Sequence, residues 1–87
     1  MPETVIVTIY YVESQGRVLE SDFELPFAAP FASYQESLDN AVKNAFLSMH
    51  LNGRHVRLLW GDVLIRDEES LLDLGIFDGG RLSVRLG

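Results

Sequence analysis

Residues 33–51 have the sequence SYQESLDNAVKNAFLSMHL, which predicts the only long helix of the chain. Ser33 and Glu36 have the spacing of a capping box and predict where the helix begins. Asn52-Gly53 predicts where it ends, because both residues tolerate the left-handed conformation that follows a helix. The apolar residues recur at helical spacing and form one stripe, which needs one sheet to cover it. The stripe consists of Tyr34, Leu38, Ala41, Val42, Ala45, Phe46 and Met49.

The segments on both sides of this helix have the patterns of strands. Residues 4–12 are dense in β-branched and aromatic side chains, and residues 17–25 alternate between inward-facing and acidic positions after a short polar turn. Shorter strands are predicted at 55–60, 63–65 and 81–86. The order β-β-α-β-β-β predicts an α+β domain with a mixed sheet packed on one long helix, with the last strand beside the first. Phe27 and Phe31 are predicted to pack at the end of the helix, and Trp60 is predicted to pack in the core.

The length and the net charge of the chain limit the classes of function that it can have. A chain of 87 residues predicts a single domain spanning 1–87. The net charge of −6 disfavours nucleic acid as a partner, because the phosphate backbone would repel the protein. The sequence has neither a signal-peptide pattern nor an apolar run of membrane-spanning length, which predicts a cytoplasmic protein without membrane insertion.

The second half of the chain resembles ubiquitin. The resemblance rests on RLLWGDVLI at 57–65, SLLD at 70–73, GI at 75–76 and GGRLSV at 79–84, and residues 57–86 follow ubiquitin without a gap. It implies the ubiquitin-like β-grasp fold. The chain differs from conjugated members of the family in two ways. Their flexible tail ends in two glycines, whereas Gly87 stands alone, and their several lysines are reduced here to Lys43.

A second resemblance spans most of the chain. FELP at 23–26, PF at 30–31 and LLDLGIFDGGRL at 71–82 are similar to bacterial ubiquitin-like proteins of the YukD/EsaB type, which accompany type VII secretion systems. This resemblance implies a non-catalytic, non-conjugated module for protein–protein interaction that serves as a secretion accessory. Two alternatives stay open: a ubiquitin-like modifier or precursor whose glycine tail lies outside this sequence, and a ubiquitin-like adaptor domain from a larger eukaryotic protein.

Neither catalytic nor metal-binding residues stand out in the sequence. The chain has no cysteine, its serines lie outside any nucleophile motif, and His50 and His55 lack the spacing of metal ligands. The acids at 67–69 and Asp73 lack the glycine and distal glutamate of a calcium loop. We therefore predict a protein that is not an enzyme and has no cofactor and no metal site.

One surface is predicted to bind a protein partner. If the strands at 55–60 and 81–86 pair, one sheet face carries His55, Arg57, Leu59, Ser83 and Arg85. Arginine is enriched at protein interfaces because its planar guanidinium pairs with carboxylates and stacks on aromatic rings. The alternative is an ordinary solvated sheet face. The acids of the second strand disfavour pairing with another copy, which predicts a monomer.

Overall fold

The two N-terminal strands form a hairpin at one side of the sheet. The structure is a computed structural model that describes residues 2–87. Strand β1 (Thr4–Val12) pairs antiparallel with β2 (Val18–Pro26), with Thr4 opposite Pro26 and Val12 opposite Val18. Gly16 in the connecting turn has a φ of 87°, a conformation that glycine adopts without steric cost. Both strand predictions are confirmed, with the second strand shifted by one residue.

The remaining elements complete a mixed five-stranded sheet. A 3₁₀ helix (Phe31–Tyr34) leads into helix α1 (Gln35–Ala45), which is followed by β3 (Val56–Trp60), β4 (Val63–Leu64) and β5 (Arg81–Leu86). The strand order is β2-β1-β5-β3-β4, with β5 parallel to β1 and antiparallel to β3. This arrangement confirms the predicted α+β fold with the last strand beside the first.

Helix α1 is shorter than predicted, at both ends. Pro30 leads the chain into the 3₁₀ helix, and the Ser33 hydroxyl donates to the Pro30 carbonyl at 2.6 Å instead of capping α1. The predicted capping box is therefore wrong; the residue before α1 is Tyr34, and it makes no side-chain cap. At the other end, Phe46 leaves the helical conformation. Asn52 and Gly53 do have positive φ, but they form a turn in the following loop.

A reciprocal capping pair does form later in the chain, between Ser70 and Asp73. The backbone N–H of Ser70 donates to the Asp73 carboxylate at 3.0 Å, and the Asp73 N–H donates to the Ser70 hydroxyl at 3.1 Å. This reciprocal pair satisfies backbone donors of a turn that connects β4 to β5. It also pairs the polar groups of Ser70, the one buried polar residue within 2–87.

The core lies between α1 and the inner face of the sheet. Tyr34, Leu38, Val42, Phe46 and Met49 of the predicted stripe are buried, whereas Ala45 is exposed. Phe27 and Phe31 are buried, as predicted. The sheet contributes Val5, Val7, Ile9, Phe23, Leu25, Val56, Leu58 and Leu82.

The predicted burial of Trp60 is wrong, because Trp60 keeps 37% of its surface exposed. It is the last residue of β3, next to the turn into β4. Its ring edge lies over Gly80, 3.6 Å from the position that a Cβ at Gly80 would occupy. Trp60 therefore packs on the rim of the core.

Because of Tyr34, the free energy of unfolding should decrease with pH in the alkaline range. Its ring is 8% exposed, its hydroxyl makes no hydrogen bond within residues 2–87, and burial raises its pKa to about 12. In the unfolded chain the hydroxyl loses its proton at a pKa of about 10. Because only the unfolded state releases this proton between pH 10 and 12, stability should fall by about 1.4 kcal/mol per pH unit there.

Urea unfolding of the wild type and Tyr34→Phe across this pH range measures the effect. The Tyr34→Phe variant should lack this part of the pH dependence. At neutral pH it should be at least as stable as the wild type, because it removes a buried hydroxyl without a partner. The same alkaline slope in both proteins would contradict the assignment to Tyr34.

Candidate partner-binding face of the sheet

Of the residues predicted to bind a partner, Leu59, Ser83 and Arg85 lie on the sheet face that is turned away from α1. His55 and Arg57 belong to the same alternating set, but their side chains contact α1. Strands β3 and β5 pair with Arg57 opposite Arg85 and Leu59 opposite Ser83. Their neighbours along the strands, such as Leu58 and Leu82, point into the core, so alternation directs the paired residues outward. His55 continues the ladder, because its backbone exchanges hydrogen bonds with Gly87 at 2.8 and 3.0 Å.

Neighbouring strands add two residues that the sequence reasoning missed. Tyr10 of β1 lies beside Ser83 in the parallel pairing, and Leu64 of β4 lies opposite Leu59. We call Tyr10, Leu59, Leu64, Ser83 and Arg85 the outer patch. Arg85 is exposed, and the other four are half-buried. The alternation of residues 4–12 assigns Tyr10 to the outward set, but only the strand register shows that it adjoins Ser83.

Arg57 is held by contacts within the domain. Its guanidinium donates to Asp67 at 2.7 Å, to the side-chain carbonyl of Gln35 at 3.1 Å and to the backbone carbonyl of Ile65 at 2.9 Å. It also lies 4.7 Å from the centre of the Phe31 ring, and its side chain is only 20% exposed. Arg57 therefore joins β3 to the start of α1 and to the loop after β4.

His55 is tied to α1 by Asp39. The ring atom Nδ1 of His55 lies 2.7 Å from one carboxylate oxygen of Asp39, and the other oxygen accepts from the Val56 N–H at 2.8 Å. Gln35 donates to the Val56 carbonyl at 2.8 Å. These side chains thus form hydrogen bonds with backbone groups of β3 at the part of its edge that the short β4 does not reach. An open strand edge would otherwise leave these backbone groups free to pair with another chain. The only sign of these contacts in the sequence is that Gln35 and Asp39 are spaced i, i+4 on the polar side of α1.

The two arginines of β5 differ in their surroundings. Arg81 lies 3.3 Å from Glu20 and 5.0 Å from the centre of the Tyr10 ring. Arg85 makes no ion pair with any residue in the described part of the chain. Of the five residues predicted to bind a partner, Leu59, Ser83 and Arg85 are thus without side-chain hydrogen bonds or ion pairs to residues 2–87.

Other kinds of site have little support in the described residues. Within 2–87, no three acidic or histidine side chains are grouped so that they could hold a metal ion. A hollow of about 470 Å³ lies between α1 and the loop before β3, lined mainly by polar side chains that include Glu36, Asn40 and Lys43. None of the helices formed by these residues is long and apolar enough to cross a bilayer.

Solved structures share this fold, although no known protein family and no curated protein matches the sequence. The EccD5 ubiquitin-like domain from Mycobacterium xenopi superposes with a TM-score of 0.77 at 19% identity, covering 99% of this chain and 97% of that one. The ubiquitin-like domain of the Mycobacterium tuberculosis type VII secretion system protein ECCD1 gives a TM-score of 0.68 at 21% identity, covering 93% of this chain and 96% of that one. Ubiquitin from Caldiarchaeum subterraneum gives 0.60 at 20% identity, with coverages of 97% and 94%.

The fold also matches part of a larger assembly. In the MycP5-free ESX-5 inner membrane complex, one chain matches with a TM-score of 0.71 at 22% identity. The match covers 99% of this chain but only 21% of that one. Together these similarities establish the ubiquitin-like β-grasp fold predicted from the sequence.

Proposed function

We propose that this chain is a non-catalytic, non-conjugated ubiquitin-like module that binds a protein partner through the outer patch. Its most concrete form is a cytoplasmic accessory of a bacterial type VII secretion system, of the YukD/EsaB type. The resemblance of residues 23–82 to that group supports this role. The similarity in fold to two EccD ubiquitin-like domains, one of them from a type VII secretion system protein, supports a part in such a system without specifying the accessory type.

The observation that carries the proposal is the free guanidinium of Arg85 beside apolar surface. Arg85 follows Ser83 on β5 at the spacing of one face, and Leu59 and Tyr10 flank Ser83 on the adjoining strands. Tyrosine and arginine are, with tryptophan, enriched among the residues that contribute most to binding energy at protein interfaces, when the partner excludes water from them. A partner surface with one carboxylate opposite Arg85 and apolar groups around it would be complementary to the outer patch.

Gly87 is part of the sheet and does not itself form a free glycine tail. Both hydrogen bonds between Gly87 and His55 hold this residue in the sheet. A conjugated modifier presents an unhindered glycine tail to its activating enzyme, so such a tail would have to start after residue 87. A modifier would form a thioester with that enzyme, whereas a binding module would not.

Affinity purification of the tagged chain from its native host tests the proposal. The bound proteins are identified by mass spectrometry, with and without reducing agent. We expect subunits of a type VII secretion machine, bound without any change in the mass of the chain. A reducible adduct with an activating enzyme would make the chain a modifier, and recovery of proteasome subunits instead would make it an adaptor domain.

A further inference from the structure

A second surface, separate from the outer patch, lies at the free edge of β2. Among residues 2–87, β2 pairs only with β1. The N–H of Glu13 donates to the Arg17 carbonyl and the N–H of Phe27 donates to the Glu3 carbonyl, which fixes the alternation of hydrogen-bonded pairs along the hairpin. By that alternation, the even-numbered residues of β2 direct their backbone groups away from β1. These residues are Val18, Glu20, Asp22, Glu24 and Pro26.

The acidic side chains of this edge are turned towards the sheet. Asp22 accepts a hydrogen bond from the Thr8 hydroxyl at 2.7 Å, and Glu24 accepts one from the Thr4 hydroxyl at 3.1 Å. Glu20 lies 3.3 Å from Arg81. The carboxylates are thereby held over the outer face of β1 and β5, and they leave the backbone donors and acceptors of the edge accessible.

Of the features that usually prevent strand addition, this edge has mainly its acidic side chains, which repel an acidic strand but attract a basic one. Proteins commonly protect an edge strand with charged side chains, especially lysine, or with proline, a bulge or a very short length. Strand β2 spans nine residues and pairs with β1 in unbroken register, and its single proline is the last residue, Pro26. Backbone groups suited to another strand therefore lie beside a row of negative charges.

We propose that the β2 edge binds an extended segment of another protein in which basic and apolar residues alternate, and that this segment adds to the sheet as a sixth strand. Side chains of paired strands repeat every second residue, so its basic residues would face Glu20, Asp22 and Glu24. Its apolar residues would cover the half-buried Leu19 and lie next to Phe23. A second copy of β2 would place like charges opposite these acids, so self-pairing is disfavoured.

Two synthetic nine-residue peptides test this inference, one alternating lysine with valine and the other alternating glutamate with valine. Fluorescence anisotropy measures binding of each peptide to the full chain at low and high salt. The lysine peptide should bind at least about tenfold more tightly at low salt, because three cross-strand charge pairs change from repulsive to attractive. In NMR spectra its addition should shift the amides of Val18, Glu20, Asp22 and Glu24. Shifts confined to other amides, or equal affinity for both peptides, would overturn the proposal.

Three variants separate strand addition from simple charge attraction. Glu24→Pro removes one outward N–H, whereas Glu24→Ala removes only the charge; the proline should weaken binding of the lysine peptide by about tenfold more than the alanine. Glu20→Lys/Glu24→Lys keeps every backbone donor and should reverse the preference in favour of the glutamate peptide. An unreversed preference in this double variant, or sedimentation showing that the wild type alone dimerises through β2, would contradict the proposal.

Discussion

Replacing Phe46 with alanine should lower the free energy of unfolding by about 3–5 kcal/mol. The ring is 3% exposed and meets Phe23 edge-to-face with the ring centres 6.0 Å apart. Removing it would leave a cavity where the end of α1 packs on β2. A domain of this size has a total stability of about 5–10 kcal/mol, so the variant should lose a large part of its resistance to denaturant.

The next residue in the chain provides the control. Leu47 is 82% exposed, so Leu47→Ala should change the stability by no more than about 0.5 kcal/mol. Urea unfolding followed by circular dichroism measures both variants against the wild type. A cost below about 1 kcal/mol for Phe46→Ala, or equal costs at the two positions, would show that the buried side of this segment is assigned wrongly.

Arg57→Glu should destabilise the domain by about 2–3 kcal/mol, although Arg57 belongs to the predicted partner face. The change removes the hydrogen bonds to Asp67, Gln35 and Ile65 and the contact with the Phe31 ring. It also brings a second carboxylate towards Asp67. Because Asp67 is 65% exposed, water screens part of that repulsion, and we expect a smaller cost than for a fully buried ion pair.

Arg85→Glu is the matched control for this second prediction. Arg85 lies directly opposite Arg57 on the same sheet face, and the charge change is identical. Because Arg85 is exposed and makes no ion pair within residues 2–87, its replacement should change the stability by no more than about 0.5 kcal/mol. Thermal unfolding of both variants decides the question. If both cost the same, the contacts of Arg57 do not contribute the expected stability.

The fold could be predicted from the sequence where its signals are local. The alternation of apolar residues predicts β1 and β2, and the helical stripe predicts which side of α1 is buried. The ends of α1 could not be predicted in the same way. Ser33 has suitable chemistry for a cap, but in the 3₁₀ helix that follows Pro30 its hydroxyl donates to the Pro30 carbonyl instead. The exposure of Trp60 depends on how far other elements extend over the end of β3. No local sequence pattern shows this.

The candidate site was predictable only in part, for a related reason. Pairing of the last strand with β3 brings Leu59 next to Ser83, and alternation then assigns their face. The role of Arg57 depends on Phe31 and Asp67, which lie 26 and 10 residues away in the sequence and meet Arg57 only in the folded chain. Tyr10 joins the outer patch through the register between β1 and β5, which the sequence does not specify.

Partner binding by Arg85→Glu and Lys43→Glu, measured side by side with the wild type, tests most directly whether the outer patch binds the partner. Both variants change the net charge by the same amount, but Lys43 is an exposed residue of α1, on the other side of the sheet. The quantity measured is the amount of each secretion subunit recovered with the tagged chain, at matched folded concentration. We expect Arg85→Glu to lose the partner and Lys43→Glu to retain it. Retention by both variants, or equal loss in both, would contradict binding through the outer patch.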